Sequence, residues 1–372
     1  MKILIVGAGI AGLAMYRKLL NTDHIVDLVE SRESVKNEGA GICLPANAIQ
    51  ALDKLGLKSA IVNHAYKVTQ IRYETSQRKL LSKSSLLQPP FDCESFFALP
   101  KVTLNKVLMS GIESKIQFNT SVEKIISAYE LAHVTFSDGS QKVYDLVIGA
   151  DGINSSVRNM VFNQTDLLDL GVSNWRFCID AKDHTEVPSY LVGKSDAFMF
   201  YPIADNKIYC YGQISDSENK YKNIDSKSAL KDVFSNYHPS VINAINDAEK
   251  IIFGRLKSVK SREIYKNNVV LIGDAMHGCP PSLQQGVALA LEDVIILGDL
   301  IEKEKQLFDV LNKFKARRIE RISWVIDTSN KIIRLAEMGK SVSGRFIRNM
   351  IIKLTGPQNV IGWRKLLKNK VI

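Results

Sequence analysis

The 372-residue sequence predicts an α/β protein with a parallel βαβ unit at its start, an inserted and mostly β region, and a C-terminal helical tail. Three observations lead to this fold class. Short apolar runs end directly in glycines at three places, which is typical of strands buried in a parallel sheet. Apolar and polar residues alternate in the middle of the chain, as in the hairpins of a second sheet. The last residues, 331–372, have helical periodicity.

Composition and charge limit the classes of function. The chain is 45% hydrophobic and 24% charged, which excludes disordered and collagen-like proteins. The net charge of +10 is concentrated in residues 331–372, whose only acid is Glu337. The basic residues there are Lys331, Arg334, Lys340, Arg345, Arg348, Lys353, Arg364, Lys365, Lys368 and Lys370. Because the remainder is nearly neutral, we expect no nucleic-acid partner.

The five cysteines are scattered and form no CxxC pair, so we expect neither disulfides nor a metal site. No apolar run approaches the roughly 18 residues that span a bilayer. We expect no cleavable targeting segment, because the apolar residues 3–6 lead directly into glycines. The expected location is therefore the cytoplasm.

The first glycine turn is Gly7-Ala8-Gly9-Ile10-Ala11-Gly12, between the apolar run 3–6 and a helical stretch over 13–20. A second strand over 24–30 ends in Glu30. This Rossmann-like unit predicts a dinucleotide site, in which the glycines allow a tight turn and close approach to a pyrophosphate. Glu30 is expected to accept hydrogen bonds from ribose hydroxyls. The motif alone does not distinguish FAD from NAD.

The second turn follows the apolar run 146–149 and contains Asp151-Gly152. Residues 131–136 and 141–144, joined by Asp138-Gly139, predict a β-hairpin just before it. Taken alone, the segment is equally consistent with a strand-end turn whose aspartate caps the next helix.

The third turn follows the apolar run 269–272 and contains Gly273-Asp274 and Pro280-Pro281. Gly286 then opens a helix predicted over 287–300. Asp274 is suited to hold the hydroxyls of a polar chain, and the helix N-terminus can stabilise negative charge on a reduced ring.

In their order and spacing these segments resemble the single-component FAD-dependent aromatic hydroxylases with the para-hydroxybenzoate hydroxylase fold. Gly39-Ala40-Gly41-Ile42-Cys43-Leu44-Pro45-Ala46-Asn47 is similar to the salicylate-hydroxylase-like branch. The resemblance covers about residues 1–325 and is strongest in the glycine turns. It implies a GR2-type FAD-binding domain over 1–70, 95–164 and 262–330, and a substrate domain over 71–94 and 165–261. Residues 331–372 would form basic C-terminal helices.

The resemblance also implies the residues that contact FAD. They are Gly7, Gly9, Ile10, Ala11, Gly12, Glu30, Arg32, Gly41, Lys101, Asp151, Gly152, Asp274, Pro280, Gln285 and Gly286. Three positions depart from the family pattern: Lys101 stands where arginine is usual, Gln284 where glycine is common and Ala288 where asparagine is common. These departures put typical flavin binding in doubt.

The implied activity is that of a monooxygenase in which NAD(P)H reduces FAD and O₂ forms a flavin hydroperoxide that hydroxylates an aromatic or polycyclic molecule. His277 is a candidate base, unless it only makes hydrogen bonds within its loop. Phe200, Tyr209 and Tyr211 are candidate substrate contacts, unless they are core residues. No Arg or Lys in this region is placed clearly enough to bind a substrate carboxylate.

Alternatives remain for the activity and for the tail. The chain could be a flavoprotein of the same fold that reduces or epoxidises an isoprenoid lipid, or a flavin-binding protein without catalysis. In the last helix, Val360, Trp363, Leu367 and Val371 fall on one face. The tail is therefore a cap on the FAD-binding domain, a peripheral contact with anionic lipid, or a gate over the substrate entrance.

Overall fold

A computed structural model describes residues 1–35, 41–128, 131–162, 167–181, 187–259, 263–369 and 371–372. Gly39 and Ala40 of the resembling segment and Lys370 of the tail lie outside these ranges, as do parts of the predicted substrate domain.

The strands of the described residues are, in chain order, β1 Lys2–Val6, β2 Ile25–Val29, β3 Gly41–Leu44, β4 Tyr66–Val68, β5 Gln70–Thr75, β6 Leu80–Ser85, β7 Phe96–Pro100, β8 Ile116–Gln117, β9 Val122–Ala128, β10 Leu131–Phe136, β11 Gln141–Tyr144, β12 Leu146–Gly149, β13 Leu167–Asp180, β14 Ser189–Val192, β15 Asp196–Ile203, β16 Lys207–Ser215, β17 Ile252–Val259, β18 Tyr265–Lys266 and β19 Val269–Leu271.

The α-helices are α1 Ile10–Leu19, α2 Ala46–Lys54, α3 Lys58–Val62, α4 Lys101–Met109, α5 Ser156–Phe162, α6 Ser226–Phe234, α7 Pro239–Asp247, α8 Asp274–His277, α9 Gly286–Lys303, α10 Leu307–Glu337, α11 Val342–Thr355 and α12 Gln358–Lys368. None of these described helices is long and apolar enough to cross a membrane.

A six-stranded sheet carries the three glycine turns. Its order is β18-β19-β12-β1-β2-β8, and all neighbours are parallel except β18 and β19. The three predicted apolar runs are strands β1, β12 and β19, and they are neighbours. The core strands read as continuous apolar runs because both faces are covered: Ile3, Leu4 and Ile5 of β1 are fully buried. The turns that follow parallel neighbours therefore meet at one edge.

A seven-stranded sheet has the order β17-β13-β16-β15-β14-β5-β6. The hairpin predicted over residues 131–136 and 141–144 is confirmed as the pair β10–β11. The hairpin predicted from alternating residues in the middle of the chain is confirmed as the pair β15–β16. Helices α6 and α7 pack on one face of this sheet, in a cluster that contains Phe177, Phe200 and Phe234. The other face packs against the C-terminal helices through residues such as Met199 and Tyr209. The division into domains stays a prediction.

Helix α10 runs without a break across residue 330, where the sequence places the start of the tail. Its buried positions Val325, Ile326 and Ile333 continue the same apolar stripe through that point. The helices of the tail are interrupted at Gly356-Pro357, since α11 ends at Thr355 and α12 begins at Gln358.

Candidate functional site

A cavity of about 870 Å³ lies between the carboxyl ends of β1 and β12 and one face of the seven-stranded sheet. The glycine turns form one side, where Val6 and Ala150 end their strands. The crevice outside the carboxyl ends of parallel strands is where open α/β sheets bind ligands. The fold therefore brings the predicted cofactor segments and the predicted substrate sheet to one chamber.

The first glycine turn leaves room that no protein atom fills. Gly7 has φ +102°, and a Cβ there would lie 2.8 Å from the Ala150 carbonyl oxygen. A Cβ at Gly9 would meet nothing within 4 Å. Helix α1 begins next to it at Ile10, and no side chain of the described residues caps it, so its first amide groups are available at the cavity wall. This arrangement fits a pyrophosphate.

Gly12 has a different role from Gly9. It is buried in α1, and a Cβ there would overlap the carbonyl oxygen of Gly7. Gly12 does not line the cavity, so it supports the turn through packing and makes no contact with a ligand.

Glu30 lies at the far end of the same side, nearly buried, after β2. Its carboxylate accepts hydrogen bonds from the Ala8 amide at 3.0 Å and the Arg32 amide at 3.1 Å. These contacts fix the carboxylate at the cavity wall, where a ribose can reach it. The exposed Arg32 lines the cavity beside it.

The Asp151 carboxylate is engaged as a helix cap. It accepts hydrogen bonds from the Ser156 amide at 2.7 Å, the Val157 amide at 3.1 Å and the Ser155 hydroxyl at 2.5 Å. The capping interpretation of this segment therefore holds for the side chain. The turn still lines the cavity, and Gly152 (φ +81°) has no atom within 4 Å of a Cβ position.

The third turn presents Asp274 to the cavity as the first residue of α8, with its side chain exposed. The preceding Gly273 has φ +59°, and its amide donates to Asp293 at 2.9 Å. Pro280 and Gly286 line the same wall. Also lining the cavity are the predicted residues Ile10, Ala11, Gly41 and Lys101.

Gln285 is a correction to the predicted contacts. Its side chain is buried outside the cavity, where its Oε1 accepts from Asn47 Nδ2 at 3.0 Å. The neighbouring Gln284 lines the cavity instead. It has φ +53° and donates from Nε2 to the Tyr190 hydroxyl at 2.5 Å. The left-handed backbone at Gln284 turns the chain and reverses which of the two side chains points inward.

His277 is also a correction, since it does not line the cavity. The ring is fully buried, and Nε2 lies 2.7 Å from the Asp293 carboxylate. Its partner is thus a side chain of α9, and the ring is held away from any substrate. The geometry therefore contradicts the prediction of a catalytic base at His277.

A buried ionic network holds this third turn in place. Arg318 of α10 donates to Asp293 at 2.7 Å and to Glu292 at 2.7 Å, and all three side chains are fully buried. Arg321 adds a two-point contact with Glu292. Burial alone would raise the pKa of both acids, but the guanidinium of Arg318 holds the pKa of each below its ordinary value.

One row of side chains crosses the inner face of the seven-stranded sheet. Strand register places Arg176, Tyr211, Met199, Tyr190 and Tyr73 opposite one another in turn. All five line the cavity. Tyr209, two residues from Tyr211, lines it as well, and contact of either tyrosine with a substrate stays a prediction.

Phe200 is the third correction. It lies one residue from Met199, so its side chain points to the opposite face of the sheet. There it packs with Phe198 and is fully buried in the cluster under α6 and α7. It does not line the cavity and cannot contact a substrate there.

Arg176 is a cavity-lining side chain that sequence reasoning missed. Its Nε is buried and has no hydrogen-bond partner among the described residues. Burial raises the pKa of Tyr209 and Tyr211, and the nearby Arg176 only partly offsets this. Both hydroxyls therefore stay protonated at neutral pH. The signal was available as strand alternation, which places 176, 178 and 180 on one face.

The C-terminal helices close the chamber. Cavity-lining residues come from α10, α11 and α12, and include Ile332, Ala336, Arg348, Ile352 and Gln358. Trp363 of α12 is buried and donates from Nε1 to the Leu283 carbonyl at 2.7 Å. The tail is therefore a structural wall of the cavity.

Comparisons with known proteins agree with this geometry. The family model described as "FAD binding domain" matches residues 1–325. The 2-heptyl-3-hydroxy-4(1H)-quinolone synthase of Pseudomonas aeruginosa is 29% identical over 363 residues, which cover 95% of this chain and 94% of that enzyme. The FAD-dependent urate hydroxylase of Klebsiella oxytoca is 25% identical over 334 residues, 87% of each chain. The crystal structure of Klebsiella pneumoniae HpxO complexed with FAD and uric acid has a TM-score of 0.89 at 20% identity, covering 99% of this chain and 97% of that one.

Proposed function

Because the chain belongs to the FAD binding domain family, we propose that it hydroxylates an aromatic molecule whose acidic or carbonyl oxygen is held by Arg176. The chain is an FAD-dependent monooxygenase, and its relatives favour hydroxylation over the isoprenoid reductase, epoxidase and non-catalytic alternatives. The observation that carries the substrate class is the buried Nε of Arg176 in the cavity wall, which has no hydrogen-bond partner in the part of the chain that the structure describes.

The residues present fit FAD. The unfilled space at Gly9 and the uncapped start of α1 suit its pyrophosphate, and Glu30 suits its adenosine ribose. The exposed carboxylate of Asp274 would hold the ribityl hydroxyls. When bound, FAD supplies the redox and oxygen chemistry, with NAD(P)H as the source of electrons. The protein supplies position and a chamber closed by α10, α11 and α12.

Arg176 would orient the substrate. A guanidinium is always charged and offers planar donors, which suits a carboxylate, phenolate or ring carbonyl. The protonated hydroxyl of Tyr211 lies across the strand pair from Arg176 and donates to Gln213 at 2.9 Å. Two of the relatives are named as a hydroxyquinolone synthase and a urate hydroxylase, and these names refer to aromatic rings that bear such oxygens. A substrate oxygen between Arg176 and Tyr211 would satisfy the unpartnered Nε.

Binding of oxygen-bearing aromatics to the FAD-loaded protein tests this proposal. The probes are 4(1H)-quinolone, uric acid and salicylate, each paired with an analogue in which the oxygen offered to Arg176 is methylated (4-methoxyquinoline, an O-methylated urate and methyl salicylate), and binding is followed by the change in flavin absorbance. We expect at least one parent compound to bind about 10- to 100-fold more tightly than its methylated analogue, because a hydrogen bond to a charged group contributes about 1.5–3 kcal/mol.

Arg176→Met should abolish that preference and leave the flavin spectrum unchanged. Arg72→Met is the matched control. Arg72 lies in the same sheet, one residue before Tyr73, and does not line the cavity. The proposal is wrong if Arg176→Met keeps the preference for the parent compound, or if every methylated analogue binds as tightly as its parent.

Contact with a membrane through the basic tail is also a proposal. The sequence placed this contact on the last helix, α12. That helix buries Val360, Trp363 and Leu367 in the protein. Apart from Met338 and Ile361, the large apolar side chains of the tail that remain exposed among the described residues belong to α11.

A further inference from the structure

Helix α11 exposes a continuous apolar stripe, which we call the outer face of α11. Val342, Phe346, Met350 and Leu354 follow one another at intervals of four residues, with Ile347 beside them. Their exposed fractions are 77%, 68%, 38% and 79%, and that of Ile347 is 49%. Scattered exposed apolar side chains are ordinary, but a contiguous stripe of five on one helix marks a contact surface.

The orientation of α11 is fixed by buried contacts on its opposite side. The Arg348 guanidinium is buried and donates to the Gly193 carbonyl at 2.7 Å and to the Lys194 carbonyl at 3.2 Å. Ile352 is buried in the cluster that contains Trp363. Burying a guanidinium is costly unless it is hydrogen-bonded, so these contacts specify one rotation of the helix. The apolar stripe is therefore held outward.

The charged side chains of α11 and α12 are all basic. Arg345 and Lys353 lie on α11 itself, and the exposed Arg364, Lys365 and Lys368 follow on α12. The sequence has no acidic residue after Glu337. An apolar stripe with a cationic border is the pattern of a helix that lies in the interface of an anionic bilayer.

We propose that the outer face of α11 is a peripheral contact with an anionic phospholipid surface. Val342, Phe346 and Leu354 would enter the boundary between headgroups and acyl chains, while Arg345 and Lys353 remain among the headgroups. Charge complementarity selects this occupant over an apolar protein surface, which would leave the basic border without partners. The proposal concerns binding only and is independent of the monooxygenase reaction.

Co-sedimentation of the full-length, FAD-loaded protein with vesicles tests the proposal. Vesicles of phosphatidylcholine alone are compared with vesicles that also contain phosphatidylglycerol. We expect binding to the anionic vesicles, and we expect it to weaken as salt is raised, because salt screens exposed charges. Each basic residue held at such a surface strengthens binding by about fivefold.

Phe346→Glu combined with Leu354→Glu should lower the affinity for anionic vesicles by more than about tenfold, because charged side chains enter the interface poorly and oppose its charge. Phe308→Glu is the matched control: Phe308 is 69% exposed, like Phe346, but lies in the first turn of α10. It should leave the affinity unchanged. The flavin spectrum and melting temperature verify that each variant is folded.

Three results would each overturn the proposal. The wild-type protein could fail to sediment with anionic vesicles at low salt. Phe308→Glu could weaken binding as much as the double variant does. Light scattering could reveal a wild-type dimer that Phe346→Glu converts to a monomer, in which case a second copy of the chain covers the outer face.

Discussion

Replacing Arg318 by methionine tests whether the buried ionic network stabilises the protein and its third glycine turn. Arg318 is fully buried and is the shared partner of Glu292 and Asp293, with both contacts at 2.7 Å. Methionine has a similar length but no charge. The substitution therefore removes one cation and leaves two buried carboxylates.

The size of the effect follows from the partners that remain. Removing one member of a buried ion pair costs about 3–5 kcal/mol. Glu292 keeps Arg321, at 2.6 Å, and Asn47, at 2.7 Å. Asp293 keeps the Gly273 amide and His277. Because both acids retain donors, we expect the free energy of unfolding to fall by about 3 kcal/mol at pH 7, the lower end of that range.

The effect should depend on pH in a defined direction. In the wild type, the pKa values of Glu292 and Asp293 are below their ordinary 4.5 and 3.8, so their contribution is present above about pH 4.5 and is lost as pH falls through the lowered values. Without Arg318, burial is opposed only by the weaker contacts with the Gly273 amide and His277, and it should raise the pKa of Asp293. As the pH falls, the native state of the variant then takes up a proton that its unfolded state does not. The loss of stability relative to the wild type therefore shrinks by about 1.4 kcal/mol for each pH unit over which this holds.

Urea unfolding at pH 7 and pH 5 measures both quantities. Arg317→Met is the control, because Arg317 is the exposed neighbour on the same helix. The reasoning is refuted if the deficit of Arg318→Met is the same at both pH values, or if Arg317→Met loses as much stability.

Two further predictions concern the cofactor and the tail. Asp274→Ala should leave the unfolding of the apoprotein unchanged, because the side chain is exposed in the cavity. It should weaken FAD binding by about 10- to 100-fold, because charge-assisted hydrogen bonds are lost. Titration with FAD followed near 450 nm checks this, and an unchanged affinity would contradict it. Trp363→Ala should lower the free energy of unfolding by about 3–5 kcal/mol, because it removes the packing on the Phe96 ring, whose centroid is 4.9 Å away. Trp363→Phe should lower it by about 1 kcal/mol, because it loses mainly the hydrogen bond to the Leu283 carbonyl. Equal shifts of the two variants in thermal unfolding would contradict this.

The parts of the site that sequence reasoning located correctly are backbone features. The tight turn at Gly7 and the close approach of a ligand to the backbone at Gly9 both require glycine. The apolar run before them identifies the strand. Such requirements involve residues close together in the chain. The same is true of Asp274, which directly follows a strand and a glycine with positive φ.

The errors concern side-chain direction. Phe200 and Met199 are adjacent, and only the sheet register decides which of them faces the cavity. Gln284 and Gln285 are adjacent, and Gln284 itself has a left-handed backbone, whose φ no composition rule supplies. His277 binds Asp293 of another helix, and that pairing depends on how α8 packs on α9.

The sequence by itself determined the α/β class, the three glycine turns, the hairpins and the position of the basic charge, because each follows from local periodicity or from residue types at short spacing. Only the tertiary structure decided that Arg176 faces the cavity, that Arg318 ties the third turn to α10, and that α12 buries its apolar face while α11 exposes its apolar stripe. Those outcomes depend on contacts between residues far apart in the chain. Their direction is set by packing, and packing is a property of the whole fold.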